Sequence, residues 1–323
     1  MQLTRRAFSL SSLALLAVPS IAAAQTRNAT LRIIIPFPGG GSGDALIRLI
    51  AERLGPALER PVIVEPRPGA AGRLGVQAVK ASEPDGNTLL ATPIAPMVVY
   101  QNVYASLDYD PVKDFAPVSQ VASFDFGICI DPKLGVGNLT ELVAWLKANP
   151  AKANFGTPGA GTLPHFFGLM FAKAAGVPLQ HIAYKGGTLA LTDLIGGRIP
   201  MVFNSSNEMT AQHKAGQVRV LATSGAVRSA SLPDVPTFKE SGFDIEGSGW
   251  WGIFAPAQTS AATVSKFSGA IATILQNEDV KQRVMQLELR PTGTSPEEFA
   301  RIQRDDIVRW EAPIRASGFK PEQ

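Results

Sequence analysis

The chain has 323 residues, 45% of them hydrophobic, with a net charge of +3 and a pI near 9.0. That length is enough for one large core or for two lobes. Its lysines and arginines are scattered rather than massed, which excludes a nucleic-acid surface, and its single cysteine excludes an internal disulfide.

The first element is a leader. Arg5 and Arg6, in TRRAFSL, precede the apolar stretch SLALLAVPSIAAA, which closes on Ala22, Ala23 and Ala24. A charged start, a short apolar run and small residues at its end make a secretory signal, expected to be cleaved after Ala24. About a dozen apolar residues are too few to span a bilayer, which takes roughly 20, so residues 1–24 are read as removed rather than as an anchor. Paired arginines with Phe8 two positions on suit the twin-arginine route; general export is the alternative. The remaining chain has no apolar run of membrane length and is expected in the periplasm.

From residue 31 a pattern repeats: an apolar run, a Gly or Pro turn, then a helical stretch. Strands are expected at 32–36, 62–65, 88–92, 126–130, 153–156, 181–184, 200–203, 218–224 and 250–255. Helices are expected at 44–58, 140–148, 163–175, 189–195 and 296–310. In the first helix Leu46, Ile50, Leu54 and Ala57 line one face. Apolar runs bounded by turns and alternating with helices predict an α/β class with parallel βαβ units. Cys129, in FGICI, reads as buried packing. Two punctuated segments, 109–127 and 232–249, read as crossings between lobes, so that the first lobe is built from 25–123 plus 249–323 and the second from 124–248.

Ligands of open α/β sheets sit beyond the carboxyl ends of the strands, and three glycine loops lie there. In IIPFPGGGSGD (34–44) bare backbone leads into a helix whose first N–H groups lack partners, which suits an anionic or hydrogen-bond-accepting ligand. Asp44 caps the helix, receives a cationic or hydroxyl group of a ligand, or does both. NFGTPGAGTLPHFF (154–167) repeats the arrangement, with Thr162 at an N-cap and Pro164 in the first turn. AYKGGTLALTDLIGG (183–197) is the third, with Thr188 opening a helix. The phosphate loop, the dinucleotide fingerprint and the nucleophile elbow all fail on spacing, and three histidines offer no zinc motif. A serine triad built from distant positions stays open. His165 either lines the pocket or bonds nearby backbone; Lys185 either attracts an anion or is solvated. Asn204 and Ser205, at another strand end, are candidate hydrogen-bonding groups, and Trp250 and Trp251 read as core or hinge anchors.

The segments PFPGGGSGD, VEPRPGAAG, PDGNTLL, HIAYKGGTLALTDLIGG, RSASLPDVPTFKESG and WWGIFAPA occur in this order along the mature chain. In this the chain resembles the Bug family, the extracytoplasmic solute-binding receptors of tripartite tricarboxylate transporters. The resemblance implies a two-lobed periplasmic binding protein of the type II arrangement that is not an enzyme. It implies a small di- or tricarboxylate or aromatic acid held in the cleft, then delivered to membrane permease subunits or presented to a sensor protein. Carried over by position, Phe37, Gly41, Ser42, Asp44, Thr92, Thr157, Gly161, Thr162, His165, Asn204 and Ser205 are the implied ligand-binding residues. Neither cofactor nor metal is expected, and a monomer is. An exported α/β hydrolase is the alternative. The chain departs from the family at Gly39, where Pro is usual, and at Gly43, where Thr is common, so the first loop should be looser. Pro66 replaces a frequent Asn and Leu169 a frequent Glu; together with Phe166 and Phe167, these departures point to a less polar or aromatic acid.

Overall fold

The structure, a computed structural model, describes residues 29–319; the expected leader lies outside the described residues. Strand β1 (Leu31–Ile35) is almost wholly apolar and buried, with β2 (Val62–Pro66) and β3 (Thr88–Pro93) parallel to it on either side. Helix α1 (Ser42–Leu58) crosses between β1 and β2, and α2 (Arg73–Lys80) between β2 and β3. Leu46, Ile50 and Leu54 bury one face of α1 as expected, but Ala57 is exposed and Leu58 takes its place. A left-handed Glu59 ends the helix, its N–H returning to the Gly55 and Pro56 carbonyls. Pro66 closes β2 at the sheet edge, where no ladder donor is lost.

Strand β4 (Phe115–Ile130) joins the two halves of the molecule. Its first part lies antiparallel to β9 (Ser248–Pro256), which continues to β3. From Phe126 onward it pairs instead with β7 (Met201–Ser205) on one side and β8 (Arg219–Thr223) on the other. Beyond β7 lie β5 (Asn154–Thr157) and β6 (Gln180–Ala183), parallel to one another. The whole order is β2-β1-β3-β9-β4-β7-β5-β6, with β8 and the short β10 (Arg290–Pro291) also on β4. The parallel βαβ units expected from the sequence are therefore present at both ends of the sheet, but the middle is antiparallel. Segment 109–127, read as a punctuated crossing, is mostly strand: Pro117, Ser119 and Gln120 mask it in the sequence, and the register shifts around them.

The remaining helices are α3 (Tyr100–Val103), α4 (Leu139–Ala148), α5 (Leu163–Ala175), α6 (Gly187–Ile195), α7 (Ser206–Lys214), α8 (Ala261–Gln276), α9 (Glu278–Gln286) and α10 (Pro296–Ala316). Five of the ten among the described residues, α2, α3, α7, α8 and α9, are absent from the sequence reading. No helix among the described residues is long and apolar enough to cross a membrane. One continuous apolar cluster runs from β1 through Trp250 and Phe254 to Phe155, Phe171 and Phe203. Phe167 of α5 packs at once on Phe126 of β4 and edge-on against Trp310 of α10. Cys129 is fully buried in β4, and burial pushes its thiol pKa up, so it is inert packing as expected.

Where β4 passes from one half to the other, the buried Asp125 receives both Arg290 nitrogens, Nη1 at 2.7 Å and Nη2 at 2.8 Å, and the Ser248 hydroxyl at 2.8 Å. One residue on, the Phe126 N–H donates to Ser224 Oγ, which donates to the Gly247 carbonyl. β4, β10, the end of β8 and the start of β9 are thus tied at the same level.

Candidate functional site

Four helices begin beside one another at the carboxyl ends of β1, β5, β6 and β7. α1 follows the glycine loop after β1, and its N-cap, Gly41, has no side chain to satisfy the first-turn N–H groups. Ser42 Oγ of α1 accepts from Asn207 Nδ2 of α7 at 2.8 Å, a contact across the cleft between residues 165 positions apart. The start of α7 meets α6, because Gly187 lies against Asn204 and Glu208, where a Cβ would overlap both side chains. The loop before α6 is bonded to the loop before α5 through Gly186 N–H to the Pro158 carbonyl at 2.9 Å. At the far side Gly161 nears Val103 and Phe319, so the second-half loop is in contact with first-half elements.

None of these helix starts is capped by a side chain. Unpaired first-turn N–H groups, with the partial positive charge of the helix end, are a ready receptor for an anion. Several sequence expectations about caps are corrected here. Thr162 occupies the N-cap position of α5, yet its hydroxyl donates to the Gly159 carbonyl at 2.7 Å. Thr188 is inside α6, whose N-cap is Gly186. Asp44 is not the N-cap of α1; it sits in the first turn and reaches back, Oδ2 accepting from Gly40 N–H at 3.1 Å and from Arg48 Nε at 2.9 Å. Burial works to raise the Asp44 pKa, but the Arg48 and Gly40 bonds outweigh it and hold the carboxyl below its ordinary value. Its other oxygen, Oδ1, is buried with no partner among the described residues.

The other candidate side chains are largely spent on the protein itself. Phe37 packs on the Gly72 turn. Thr92, fully buried, donates to the Pro93 carbonyl. Asn204 accepts from Ser205 N–H and donates to Glu208 Oε2, both at 2.9 Å, while Ser205 makes no side-chain cap for α7. Burial raises the Glu208 pKa, with the Asn204 bond opposing. Thr157 Oγ1 donates to the Gly159 carbonyl and lies 2.7 Å from His181 Nε2, which leaves it to accept from that ring nitrogen. His165 is 3% exposed, stacked at 3.8 Å on His181, and its Nδ1 accepts the N–H of Gly161, whose left-handed backbone (φ 72°) needs glycine. Burial drives both rings toward the neutral form, His165 to about 3, with His181 adding to its shift, and His181 to about 4. Of the two readings of His165, the structure gives the backbone bond: the ring fixes the loop from behind.

Asn207 and Glu208 are missed by sequence reasoning. Both follow a recognised strand end, but the helix they open, SNEMTAQHK, has too weak an apolar face to be seen. Phe166 and Phe167 are fully buried core, and Leu169 lines a cavity of about 640 Å³ between α5 and α10. Gly43 is corrected too. A Cβ there would overlap Trp251 Cζ2 and Cε2, so the first loop is not loosened at this residue; an indole fills the space of the missing side chain. The Thr157–His181 pair is a hydroxyl beside an imidazole, but both lie behind the loop, and among the described residues no carboxylate orients the ring.

A family model described as the tripartite tricarboxylate transporter family receptor matches residues 46–319. The chain belongs to this family. Among its relatives, Protein BugT of Bordetella pertussis is 31% identical over 292 residues, covering 90% of each chain. Among solved structures, an R. palustris protein, Rpa4515, with adipate superposes with a TM-score of 0.85 at 26% identity, covering 91% of this chain and 98% of the other. MatC of Rhodopseudomonas palustris with bound malate gives 0.80 at 25%, covering 88% and 98%. This receptor is therefore a two-lobed periplasmic binding protein in fold, of a family of solute-binding receptors rather than enzymes.

Proposed function

We propose that this receptor is exported to the periplasm, captures a small di- or tricarboxylate or aromatic acid between its lobes, and delivers it to the membrane subunits of a tripartite transporter. One observation carries the reading: uncapped first turns of α1, α5, α6 and α7 converge from both lobes, linked by the Ser42–Asn207 bond. Helix N–H groups neutralise a carboxylate without a buried cation, and backbone donors reach it where glycines remove the Cβ. The malate and adipate in the two solved relatives support the ligand class. We place Phe37, Gly41, Ser42, Asp44 and Thr92 on one wall, and Thr157, Gly161, Thr162, Asn204 and Ser205 on the other, with His165 behind. The lobes are taken to divide near 123/124 and 248/249, where the pairing of β4 changes, and the receptor acts as a monomer without cofactor or metal. Mass spectrometry of the intact protein under native conditions, followed by calorimetric titration with a panel of mono-, di- and tricarboxylates, tests this. A retained acid and a saturable heat are expected. Failure of every acid, together with ester turnover that vanishes on replacing one serine, would favour the hydrolase instead.

A further inference from the structure

Gly43 lies in the first turn of α1 and its backbone is not left-handed, so nothing in its conformation calls for glycine. The reason is steric: the benzo edge of Trp251 occupies the volume a side chain would take. Trp251 stands on β9 opposite Pro93, at the carboxyl end of β3 beside Thr92. Strand alternation sends its neighbour Trp250 to the other face, where Trp250 is buried and its Nε1 donates to Asp306 Oδ2 at 2.9 Å. Trp251 is only half-buried, and among the described residues its Nε1 neither finds an acceptor nor is enclosed. Cε2, one of the atoms pressed on Gly43, is bonded directly to that nitrogen, so the indole N–H sits beside the uncapped first turn of α1. The same turn holds the buried, unpartnered Asp44 Oδ1, at a side chain 10% exposed.

We propose that Trp251 is a specificity-determining ligand contact: its N–H joins the first-turn N–H groups of α1 on the ligand carboxylate, and its ring selects an acid with an apolar carbon beside that carboxylate. The inference deepens the carboxylate reading above and rests on it. An indole donates but does not accept, and its ring offers nothing to a hydroxyl. An acid whose α-carbon carries a hydroxyl on the side that meets the ring therefore has that group desolvated against it, while Asp44 Oδ1, an acceptor, is left to a donor elsewhere on the ligand. Gly43 is the residue that admits the ring.

The test uses the mature protein with its tryptophan side chains labelled with nitrogen-15, titrated with succinate, benzoate and tartrate. Succinate and tartrate share a skeleton and differ only in hydroxyls on the carbons beside the carboxylates. One of the indole N–H resonances should move on saturation with succinate or benzoate, and that resonance should be the one absent from Trp251→Phe. Trp251→Phe should bind succinate about tenfold more weakly or worse, the loss expected for a hydrogen bond to a charged acceptor. Wild-type protein should prefer succinate to tartrate by about tenfold. An unmoved Trp251 resonance in a protein that binds, affinity of Trp251→Phe within twofold of wild type, or equal binding of tartrate would each overturn the proposal. Should Trp251→Phe fail to fold, the resonance is assigned in the wild-type protein by its through-space contact with Gly43, and the test stands. If wild-type protein binds none of a full acid panel, the carboxylate reading itself falls, which is a different outcome.

Discussion

The glycine loops at the carboxyl ends of β1 and β5 look alike in sequence and behave differently. In 157–165 nearly every polar group is spoken for: Thr157 and Thr162 share the Gly159 carbonyl, His165 takes the Gly161 N–H, and His181 leans on Thr157. In 37–44 residues 38–41 are exposed, and a single side chain, Asp44, gathers the loop through Gly40 and Arg48. The contrast separates a wall that is finished before any ligand arrives from one that a ligand would help to finish. Buried polar groups fully satisfied by one another rigidify a segment, whereas unpaired donors leave it responsive.

That comparison breaks most easily at the stacked histidines. Their folded pKa values lie below the ordinary 6.5, so the unfolded chain binds more protons as pH falls. Their contribution to stability is whole above about pH 6.5 and shrinks toward pH 4, by about 1.4 kcal/mol per pH unit for each ring. Thermal melts from pH 7 to 4 should show a steep fall, and His181→Phe should flatten it; a pH-independent melting temperature would mean the second wall is not built on neutral imidazoles. Next in size, Asp44→Ala releases the Gly40 N–H and the Arg48 guanidinium to water and removes the one side chain that gathers the loop, and titration should show binding weaker by about 1 to 3 kcal/mol. Unchanged affinity would reduce Asp44 to an ornament of α1. Asn207→Ala removes the bond to Ser42 and should cost about 1 kcal/mol of closure, seen as faster ligand release in stopped flow with little change in association. Smallest, Thr162→Val should lower stability by at most about 1 kcal/mol and leave affinity nearly untouched, because its hydroxyl is given to the Gly159 carbonyl and only its backbone N–H, which the variant keeps, faces the wall.

Much of this architecture is legible in the sequence, for identifiable reasons. Buried strands such as RIII and PMVF are continuous apolar runs closed by Gly, Pro or Asn, and their loops can be read as sites because sheets of this class present ligands there. The length of β4 is hidden because an antiparallel central strand tolerates Pro117, Ser119 and Asp125, each answered by a partner far along the chain. Helix α8 carries Val264, Phe267, Ile271 and Ile274 at helical spacing behind the Ser260 cap, so its signal is present in the sequence. The site divides the same way. The loops are visible, but which hydroxyls are free depends on carbonyls that only the fold brings near. Gly43 shows the limit best: in sequence it is an absent side chain, while in the structure it is the seat of an indole more than two hundred residues away.

Strand β4 has a consequence for how the molecule comes apart. Its sixteen residues run unbroken from one half of the sheet into the other, and beside them Arg290 pairs with the buried Asp125 and Trp310 packs on Phe167, so melting either half would expose charge and apolar surface of the other. The chain should therefore denature as one cooperative unit, giving a single calorimetric peak whose van't Hoff and measured enthalpies agree, where two lobes joined only by loops would melt separately.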